Sequence, residues 1–225
     1  MSSIPSGLIV SCQAPADSPL HDREIIAAIA QTALLRGAVG VRIDSPAHVE
    51  AVRKRVSEPI IGLWKRQIPG YSVYITPQFE DAAAIAAAGA DIIAIDATLR
   101  KRPGGETVSD LITQIHDKLG KLVMADIDTL DAAIAAIEAG ADVVGTTLYG
   151  YTEATQNLSP PAFELLEELA KRADIPVICE GGIASPEMAK RAIALGADAI
   201  VVGTAITGID YLVEGFNEAV KAAFS

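Results

Sequence analysis

A repeat of four similar segments runs along the chain and restricts its fold more than any other feature of the sequence. Each segment has a stretch rich in alanine or leucine, one glycine, and then a short run rich in β-branched residues. The glycines are Gly37, Gly89, Gly140 and Gly196, which lie 52, 51 and 56 residues apart. Glycine often ends a helix because it readily adopts the left-handed backbone conformation. We therefore predict that each segment is a helix end followed directly by a strand.

Four further apolar runs lie between these segments and supply the other strands. They comprise residues 8–11, 59–64, 122–125 and 176–179, and charged, helix-like stretches at 46–56, 108–119 and 162–173 precede the last three. The predicted strands are nearly continuously apolar rather than alternating. That pattern is typical of parallel strands that are covered on both faces.

Eight strand–helix units predict an α/β fold, namely a single (β/α)8 TIM barrel that forms one domain over residues 1–225. A doubly wound open sheet is the alternative. The eight regular units and the lack of a Gly-x-Gly-x-x-Gly motif disfavour it. The final predicted helix, residues 211–224, would close the ring.

Charge and composition restrict the partners and the compartment. The chain has 18 Lys and Arg against 29 Asp and Glu residues, a formal net charge of −11. This charge disfavours a nucleic acid or an anionic membrane as the main partner, whereas a locally positive site can still bind a small phosphorylated ligand. No apolar run approaches the roughly 20 residues that span a bilayer, and the N-terminus lacks the form of a signal peptide. With only two cysteines, Cys12 and Cys179, we predict a reduced cytoplasmic protein without a disulfide framework.

In a (β/α)8 barrel, functional side chains lie where strands end and the following loops begin. Lys65 and Glu180 directly follow the third and the seventh predicted strands, which are otherwise apolar. Strands four apart in a ring of eight face each other, so these side chains are predicted to oppose each other across the barrel mouth. Such a pair can remove a proton from one face of a substrate and return one to the other, and burial would suit both groups to acid–base catalysis. The alternative is a structural ion pair or a pair of rim charges.

Glycines after the last two predicted strands indicate a phosphate site. Gly181 and Gly182 follow the seventh strand, and Gly203 and Thr204 follow the eighth. The loops at these places are the usual phosphate site of the fold, and glycine lets backbone N–H groups approach a phosphate closely. Ordinary tight turns are the alternative interpretation.

Two carboxylates end neighbouring predicted strands, Asp96 the fourth and Asp126 the fifth. They would bind sugar hydroxyls or orient Lys65. The equal alternative is that they form salt bridges with Arg100 or Arg102 at the rim.

Other polar or aromatic residues near the strand ends are candidate contacts with the substrate. They are Gln13, Arg42, Arg102 and Tyr149, and packing is the alternative role of the tyrosine. The three histidines, His21, His48 and His116, do not support a metal site. No metal is therefore predicted.

Nine stretches of the sequence, spread from the first to the eighth predicted strand, match one family in order. They are residues 8–13, 37–42, 59–66, 74–77, 96–103, 124–127, 145–152, 180–183 and 202–207. Together they closely resemble the N-acetylmannosamine-6-phosphate 2-epimerase family. The resemblance implies a (β/α)8 barrel without a metal or organic cofactor. It also implies interconversion of N-acetylmannosamine 6-phosphate and N-acetylglucosamine 6-phosphate, a step in sialic acid and amino-sugar catabolism.

The resemblance further implies that Lys65 and Glu180 are the acid–base pair and that the protein is a homodimer. Lys65 would remove the C2 proton of the open-chain sugar phosphate, and Glu180 would deliver a proton to the other face. Asp126 would orient Lys65 or bind a hydroxyl, while Gln13 and Arg42 would hold the sugar oxygens. A lyase or synthase that uses Lys65 as a Schiff base, or a phosphosugar-binding protein without catalysis, are the alternatives.

Two positions depart from the family pattern. The family often has Arg or Lys at the position of Gly182 and Arg at that of Gly208, whereas both are glycine here. Each replacement is expected to remove a positive contact near the phosphate. A compensating charge would have to come from other residues, namely Arg66, Arg100 or Arg102.

Overall fold

The computed structural model describes residues 6–224, and eight parallel strands close into a barrel within them. The strands are β1 (Gly7–Cys12), β2 (Gly40–Asp44), β3 (Ile60–Leu63), β4 (Ile92–Asp96), β5 (Leu122–Asp126), β6 (Val143–Gly145), β7 (Val177–Glu180) and β8 (Ala199–Val202). Each strand pairs with the next, and β8 returns to β1 with Leu8 opposite Ile200. The predicted (β/α)8 TIM barrel is confirmed.

Helices follow the strands along the chain. They are α1 (Arg23–Leu35), α2 (Pro46–Arg53), α3 (Phe79–Ala87), α4 (Val108–Gln114), α5 (Leu130–Glu138), α6 (Phe163–Arg172), α7 (Pro186–Ala194), α8 (Thr204–Thr207) and α9 (Ile209–Ala223). Polar side chains begin several of them by accepting hydrogen bonds from the first backbone N–H groups, as Asp22 does at α1 and Ser185 at α7. The predicted helix 108–119 divides into α4 and a π-helical turn, Ile115–Leu119. No helix among residues 6–224 is long and apolar enough to cross a membrane.

Side chains of the strands point alternately into and out of the barrel, and they form two separate cores. The inner core includes Ile61, Met124 and Ile178. The outer core packs between the strands and the helices and includes residues such as Val123. At the carboxyl ends of the strands the inward positions become polar, so the apolar inner core forms a floor beneath the barrel mouth.

The last helix does not close the ring, and the prediction that it would is wrong. The helix forms where it was expected, but every residue of α9 except Asp210 is exposed and none is buried. Only Gly208 separates α9 from α8, so the chain has almost no length in which to turn back onto the barrel. The outside of the barrel beside β1 is therefore left without the cover that the last helix normally provides.

Candidate active site

Arg42, Asp126 and Glu180 form a charged cluster at the carboxyl end of the barrel. Arg42 lies on β2, and the two carboxylates end β5 and β7. Arg42 Nη2 lies 2.5 Å from Asp126 Oδ2, and Arg42 Nη1 lies 3.2 Å from Asp126 Oδ1 and 3.1 Å from Glu180 Oε2. Arg42 and Asp126 are buried, and 13% of the Glu180 side chain is exposed. One guanidinium therefore holds two carboxylates at fixed positions.

The cluster shifts the pKa values of two of its members. Burial is the main cause that raises the pKa of Glu180 to about 7; Arg42 opposes this rise and Asp126 adds to it. Burial alone would lower the pKa of Arg42, but its contacts with Asp126 and Glu180 raise that pKa above the ordinary value. Arg42 thus stays cationic, while Glu180 can hold or release a proton near neutral pH, as an acid–base group requires.

Thr147 links the two carboxylates, although it was not among the site residues predicted from the sequence. Its Oγ1 lies 2.7 Å from Asp126 Oδ1 and 3.1 Å from Glu180 Oε2. The alternation of side chains along a strand predicts that Thr147 points into the barrel, because Val143 points inward on β6 and Thr147 lies four residues later. The same period places Asp44 beside Arg42 on β2 at the mouth.

Lys65 follows β3, and its backbone N–H donates to Asp44 Oδ1 at 2.9 Å. Its Nζ donates to Oε1 of Gln13, whose Nε2 in turn donates to Ser11 Oγ at 2.9 Å. The Lys65 charge contributes to lowering the pKa of Glu180, yet among the residues that the structure describes no ion pair joins the two. The alternative of a structural Lys65–Glu180 ion pair is therefore not observed.

The structure differs from the sequence-based picture of Lys65 in two respects. Its side chain is exposed, so the burial that would suit acid–base catalysis is found at Glu180 but not at Lys65. Asp126 does not orient Lys65 either, because its carboxylate oxygens accept hydrogen bonds from Arg42 and Thr147. The position of Lys65 is set by Asp44 and Gln13 instead.

Asp96 forms the salt bridge that was the alternative to a sugar contact. Its Oδ2 lies 2.6 Å from Arg100 Nη2, and Thr98 Oγ1 donates to its Oδ1 at 2.7 Å. Arg102 is buried and donates to the backbone carbonyl of Asp96 at 2.6 Å. Burial raises the pKa of Asp96 and also that of Tyr74, a residue of the β3–α3 loop that interacts with the charges of Asp126 and Asp96. Tyr74 was not among the site residues predicted from the sequence.

Tyr149 lies away from the charged cluster. It packs against the outer core and lines a shallow pocket with Glu164 and Leu165 of α6. This position agrees with packing, the alternative role considered for Tyr149, and gives no support to a contact with substrate.

Within the described part of the chain, neither cysteine is suited to act as a nucleophile and no cluster of side chains could bind a metal ion. Cys12 and Cys179 are buried free thiols, and burial raises the pKa of Cys12 to about 12 and that of Cys179 to about 11. Both are therefore poor nucleophiles. Residues 6–224 contain no group of three or more His, Cys, Asp or Glu side chains that could hold a metal ion.

The predicted phosphate residues lie on the loops that follow β7 and β8. Gly181 and Gly182 have φ angles of 103° and 69°, in the left-handed region that favours glycine. Gly203 precedes α8, and Thr204 is the first residue of that helix. A Cβ on Gly182 would lie 2.8 Å from the carbonyl carbon of Pro160 and 2.9 Å from its Cβ. An arginine or lysine here would require the loop that carries Pro160 to move.

We therefore expect Gly182→Arg to destabilise the protein rather than to restore a phosphate contact. A left-handed backbone costs a larger residue roughly 1–2 kcal/mol, and the overlap with Pro160 adds to this cost. Each kcal/mol lowers the Tm of a chain of this size by about 2–4 °C. Gly70→Arg is the matched control, because Gly70 has φ 87° with no atom within 4 Å of its Cβ position. Equal Tm values for the two variants would contradict the role of Pro160.

Comparisons with known proteins place the chain in a family. A family model described as "Putative N-acetylmannosamine-6-phosphate epimerase" matches residues 26–222. Two relatives bear the name "Putative N-acetylmannosamine-6-phosphate 2-epimerase". The one from Thermosynechococcus vestitus is 62% identical, covering 97% of this chain and 95% of the relative, and the one from Synechococcus elongatus is 64% identical, covering 96% and 94%.

A solved structure gives the same result. The N-acetylmannosamine-6-phosphate 2-epimerase from Clostridium perfringens superposes with a TM-score of 0.90 at 43% identity, covering 94% of this chain and 92% of that one. A thiamine phosphate pyrophosphorylase from Pyrococcus furiosus, with a TM-score of 0.59 at 16% identity, shares the fold alone. This chain therefore belongs to the N-acetylmannosamine-6-phosphate epimerase family.

Proposed function

We propose that the protein interconverts N-acetylmannosamine 6-phosphate and N-acetylglucosamine 6-phosphate by inverting the configuration at C2. The observation that carries the proposal is the placement of two acid–base groups on opposite strands of the ring, Lys65 after β3 and Glu180 at the end of β7. Inversion by proton transfer needs one such group on each face of the reacting carbon. The names of the relatives supply the substrate that fits this arrangement.

The proposed reaction begins with the open-chain sugar phosphate, in which C2 is adjacent to the C1 aldehyde. The Lys65 amine takes the proton from C2, and the electron pair of the C–H bond moves toward the C1 carbonyl oxygen to give an enolate that keeps the acetamido group on C2. The Lys65 ammonium then lies close to that negative charge and stabilises it. Glu180, in its protonated form, gives its proton to the other face of C2, which restores the aldehyde with inverted configuration.

The surrounding residues take positioning roles in this proposal. Arg42 holds Glu180 and is itself held by Asp126. Because two carboxylates already engage the guanidinium, we assign Arg42 to positioning rather than to the sugar oxygens. Gln13 places the Lys65 amine and contacts the sugar. Asp96 is engaged by Arg100 and Thr98, so we assign it to positioning, whereas Arg102 on the β4 side of the mouth would face the sugar hydroxyls. The phosphate would lie on the two loops that contain Gly181, Gly182, Gly203 and Thr204.

The acid limb of the pH profile should report Glu180. The reaction needs one of the two groups to carry a proton and the other to be free to accept one. When Lys65 is an ammonium and Glu180 is also protonated, neither group can accept the proton from C2. Burial raises the pKa of Glu180 to about 7, so kcat/KM is expected to fall about tenfold per pH unit below pH 7. An unperturbed glutamate would place this limb near pH 4.3. Both reaction directions should give the same limb, since their ratio is the pH-independent equilibrium constant.

The variant Thr147→Val tests whether Glu180 or the phosphate of the substrate causes the acid limb of the pH profile. A phosphate monoester has its own pKa near 6. The hydrogen bond from Thr147 lowers the pKa of Glu180, so its removal should shift a limb caused by Glu180 to higher pH. A limb caused by the substrate phosphate would not move, and that result would contradict the assignment.

Proton NMR of N-acetylmannosamine 6-phosphate with the purified protein in D₂O tests the proposed function. We expect N-acetylglucosamine 6-phosphate to appear with deuterium at C2. Binding of the sugar phosphate without exchange or product would overturn the proposal and indicate a non-catalytic binding protein. Trapping of substrate on the protein by borohydride would instead indicate a Schiff base on Lys65.

We also propose three properties that lie outside the reaction itself. The chain forms one domain over residues 1–225, which limited proteolysis would test. The protein is cytoplasmic, an assignment supported by the buried, unpaired thiols of Cys12 and Cys179. It acts as a homodimer.

A further inference from the structure

Tyr74 carries a hydroxyl at the barrel mouth that has no partner among the residues that the structure describes. Its ring packs against the inner core, and the side chain is half-buried. Four charged side chains of the mouth act on the pKa of the hydroxyl, namely Asp126, Asp96, Arg100 and Arg42. The hydroxyl therefore lies near these groups, yet it forms no hydrogen bond with any described residue. Because a tyrosine hydroxyl in a half-buried place normally finds a partner, this one is available to a bound molecule.

The backbone holds Tyr74 beside Lys65. An isolated antiparallel bridge pairs Lys65 with Ile75, the residue that follows Tyr74. Thr76 comes next with a φ of 44°, a left-handed conformation that is uncommon outside glycine. Its side chain is fully buried, and its Oγ1 accepts a hydrogen bond from the backbone N–H of Trp64 at 3.1 Å. A strained residue of this kind persists only where its surroundings fix it, so the turn that carries Tyr74 has a defined position.

The location of the predicted phosphate loops decides which end of the sugar meets Tyr74. Those loops follow β7 and β8, whereas Tyr74 follows β3 and its two carboxylate neighbours end β4 and β5. In a closed ring of eight strands, β3 and β4 lie opposite β7 and β8. A sugar held by its C6 phosphate on one side of the mouth therefore places C1 on the other side, near Lys65. The oxygen on C1 is the atom that gains negative charge when C2 loses its proton.

We propose that the Tyr74 hydroxyl donates a hydrogen bond to the C1 oxygen and stabilises the enolate, which makes Tyr74 a third catalytic residue. The inference rests on the proposed function. The electron pair of the C2–H bond moves to the C1 oxygen, Lys65 or Glu180 takes the proton, and the hydroxyl keeps its own hydrogen throughout. A donor placed at an oxygen that becomes negative binds the enolate more strongly than the aldehyde, and this difference accelerates the reaction.

The protonation state of Tyr74 agrees with a donor. Burial is the main cause that raises its pKa, and the negative charges of Asp126 and Asp96 raise it further. An ordinary tyrosine already has a pKa near 10. The hydroxyl therefore keeps its hydrogen at neutral pH.

Tyr74→Phe tests the proposal, because it removes the hydroxyl and keeps the ring that packs on the inner core. We expect kcat to fall about 10²–10³-fold, the usual effect of removing one donor from a developing oxyanion, with a much smaller change in KM. Circular dichroism and Tm should match those of the parent. Tyr71→Phe is the matched control, because Tyr71 lies in the same loop with 37% of its surface exposed, and its rate should be unchanged.

Three results would overturn this role of Tyr74. Unchanged kcat and KM in Tyr74→Phe would show that the hydroxyl makes no contact that matters to the reaction. A raised KM with unchanged kcat would place the hydroxyl on a part of the sugar that does not change during the reaction. Both of these results leave the proposed function standing, whereas a parent protein that neither exchanges nor converts the sugar phosphate would overturn the function and this inference together.

Deuterium exchange at C2 distinguishes a contact with the substrate from an effect on Lys65 alone. In Glu180→Gln the remaining acid–base group is Lys65, and in Lys65→Met it is Glu180, but exchange in either variant passes through the same enolate. Adding Tyr74→Phe to each variant should therefore slow both exchanges by a similar factor. Slower exchange only where Lys65 remains would show that Tyr74 positions Lys65, and would overturn the contact with the C1 oxygen.

Discussion

Lys65→Met and Glu180→Gln are each expected to abolish epimerisation while keeping proton exchange with one of the two epimers. Removing either group leaves the other in place on its own face of the sugar, where it can still take a proton and return one. In D₂O, each variant should incorporate deuterium at C2 of one epimer without inverting it, and the two variants should act on opposite epimers. We expect net interconversion to fall by at least about 10²–10⁴-fold, the range for a positioned acid–base group.

The surface substitution Lys54→Met is the control for loss of a lysine. Lys54 lies on the outside of the barrel in an exposed pair with Glu50, and its replacement should leave the rate unchanged. Glu180→Gln keeps the size of the side chain and an oxygen that can accept from Thr147, so its circular dichroism and Tm should stay close to those of the parent. Full interconversion by either site variant, or exchange with both epimers, would remove the residue concerned from its assigned role.

Arg42→Met is expected to cost about 3–5 kcal/mol of unfolding free energy, because it leaves two buried carboxylates without their cation. Methionine has a similar length and is apolar, so the change removes the charge with little loss of volume. Arg42 also opposes the rise in the pKa of Glu180, so this pKa should increase further in the variant. A protonated carboxylic acid needs no cation, and the destabilisation should therefore be smaller at pH 5.5 than at pH 8. Urea unfolding at the two pH values measures both effects.

Arg172→Met provides the matched comparison. Arg172 pairs with Glu168 one turn away on α6, and both side chains are about half exposed. Exposed pairs of this kind contribute about 0.3–0.5 kcal/mol, and their loss should show little dependence on pH in this range. A loss below about 1 kcal/mol for Arg42→Met at pH 8 would mean that water or a rearranged side chain replaces the guanidinium.

The barrel was predictable because its signal is periodic and local. Glycines at a nearly constant spacing ended the helices, and each apolar run that followed could be read as one strand. The same reading placed Lys65 and Glu180 on strands four apart, since the order of strands in a closed ring follows the chain. Residues that depend only on their strand, such as Arg42 and Asp126, were also located correctly at the mouth.

The pairing within the site was not predictable in the same way. Whether Asp126 meets Lys65 or Arg42 depends on side-chain length and direction across the barrel, and both partners are cations on strand ends. Thr147 carries no charge and was therefore not predicted to belong to the site. Its place two and four residues after inward-pointing positions of β6 was nevertheless sufficient to predict that its side chain lies at the mouth. The exposure of α9 was equally hidden, because its sequence has the apolar face of an ordinary barrel helix, and only the short connection at Gly208 directs it elsewhere.

The apolar floor beneath Glu180 has a consequence for the free enzyme between turnovers. In one reaction direction Lys65 gains the proton from C2 and Glu180 loses its own proton. After the product leaves, both groups are therefore in the wrong protonation state for a second turnover in that direction. Met124 and Ile178 close the barrel interior below the cluster, and only 13% of the Glu180 side chain meets water. Recovery must therefore pass through solvent at the mouth. At high substrate concentration, the return of Lys65 and Glu180 to their starting protonation states would limit the rate in place of C–H bond cleavage. Small buffer acids that can reach the mouth would then increase the rate.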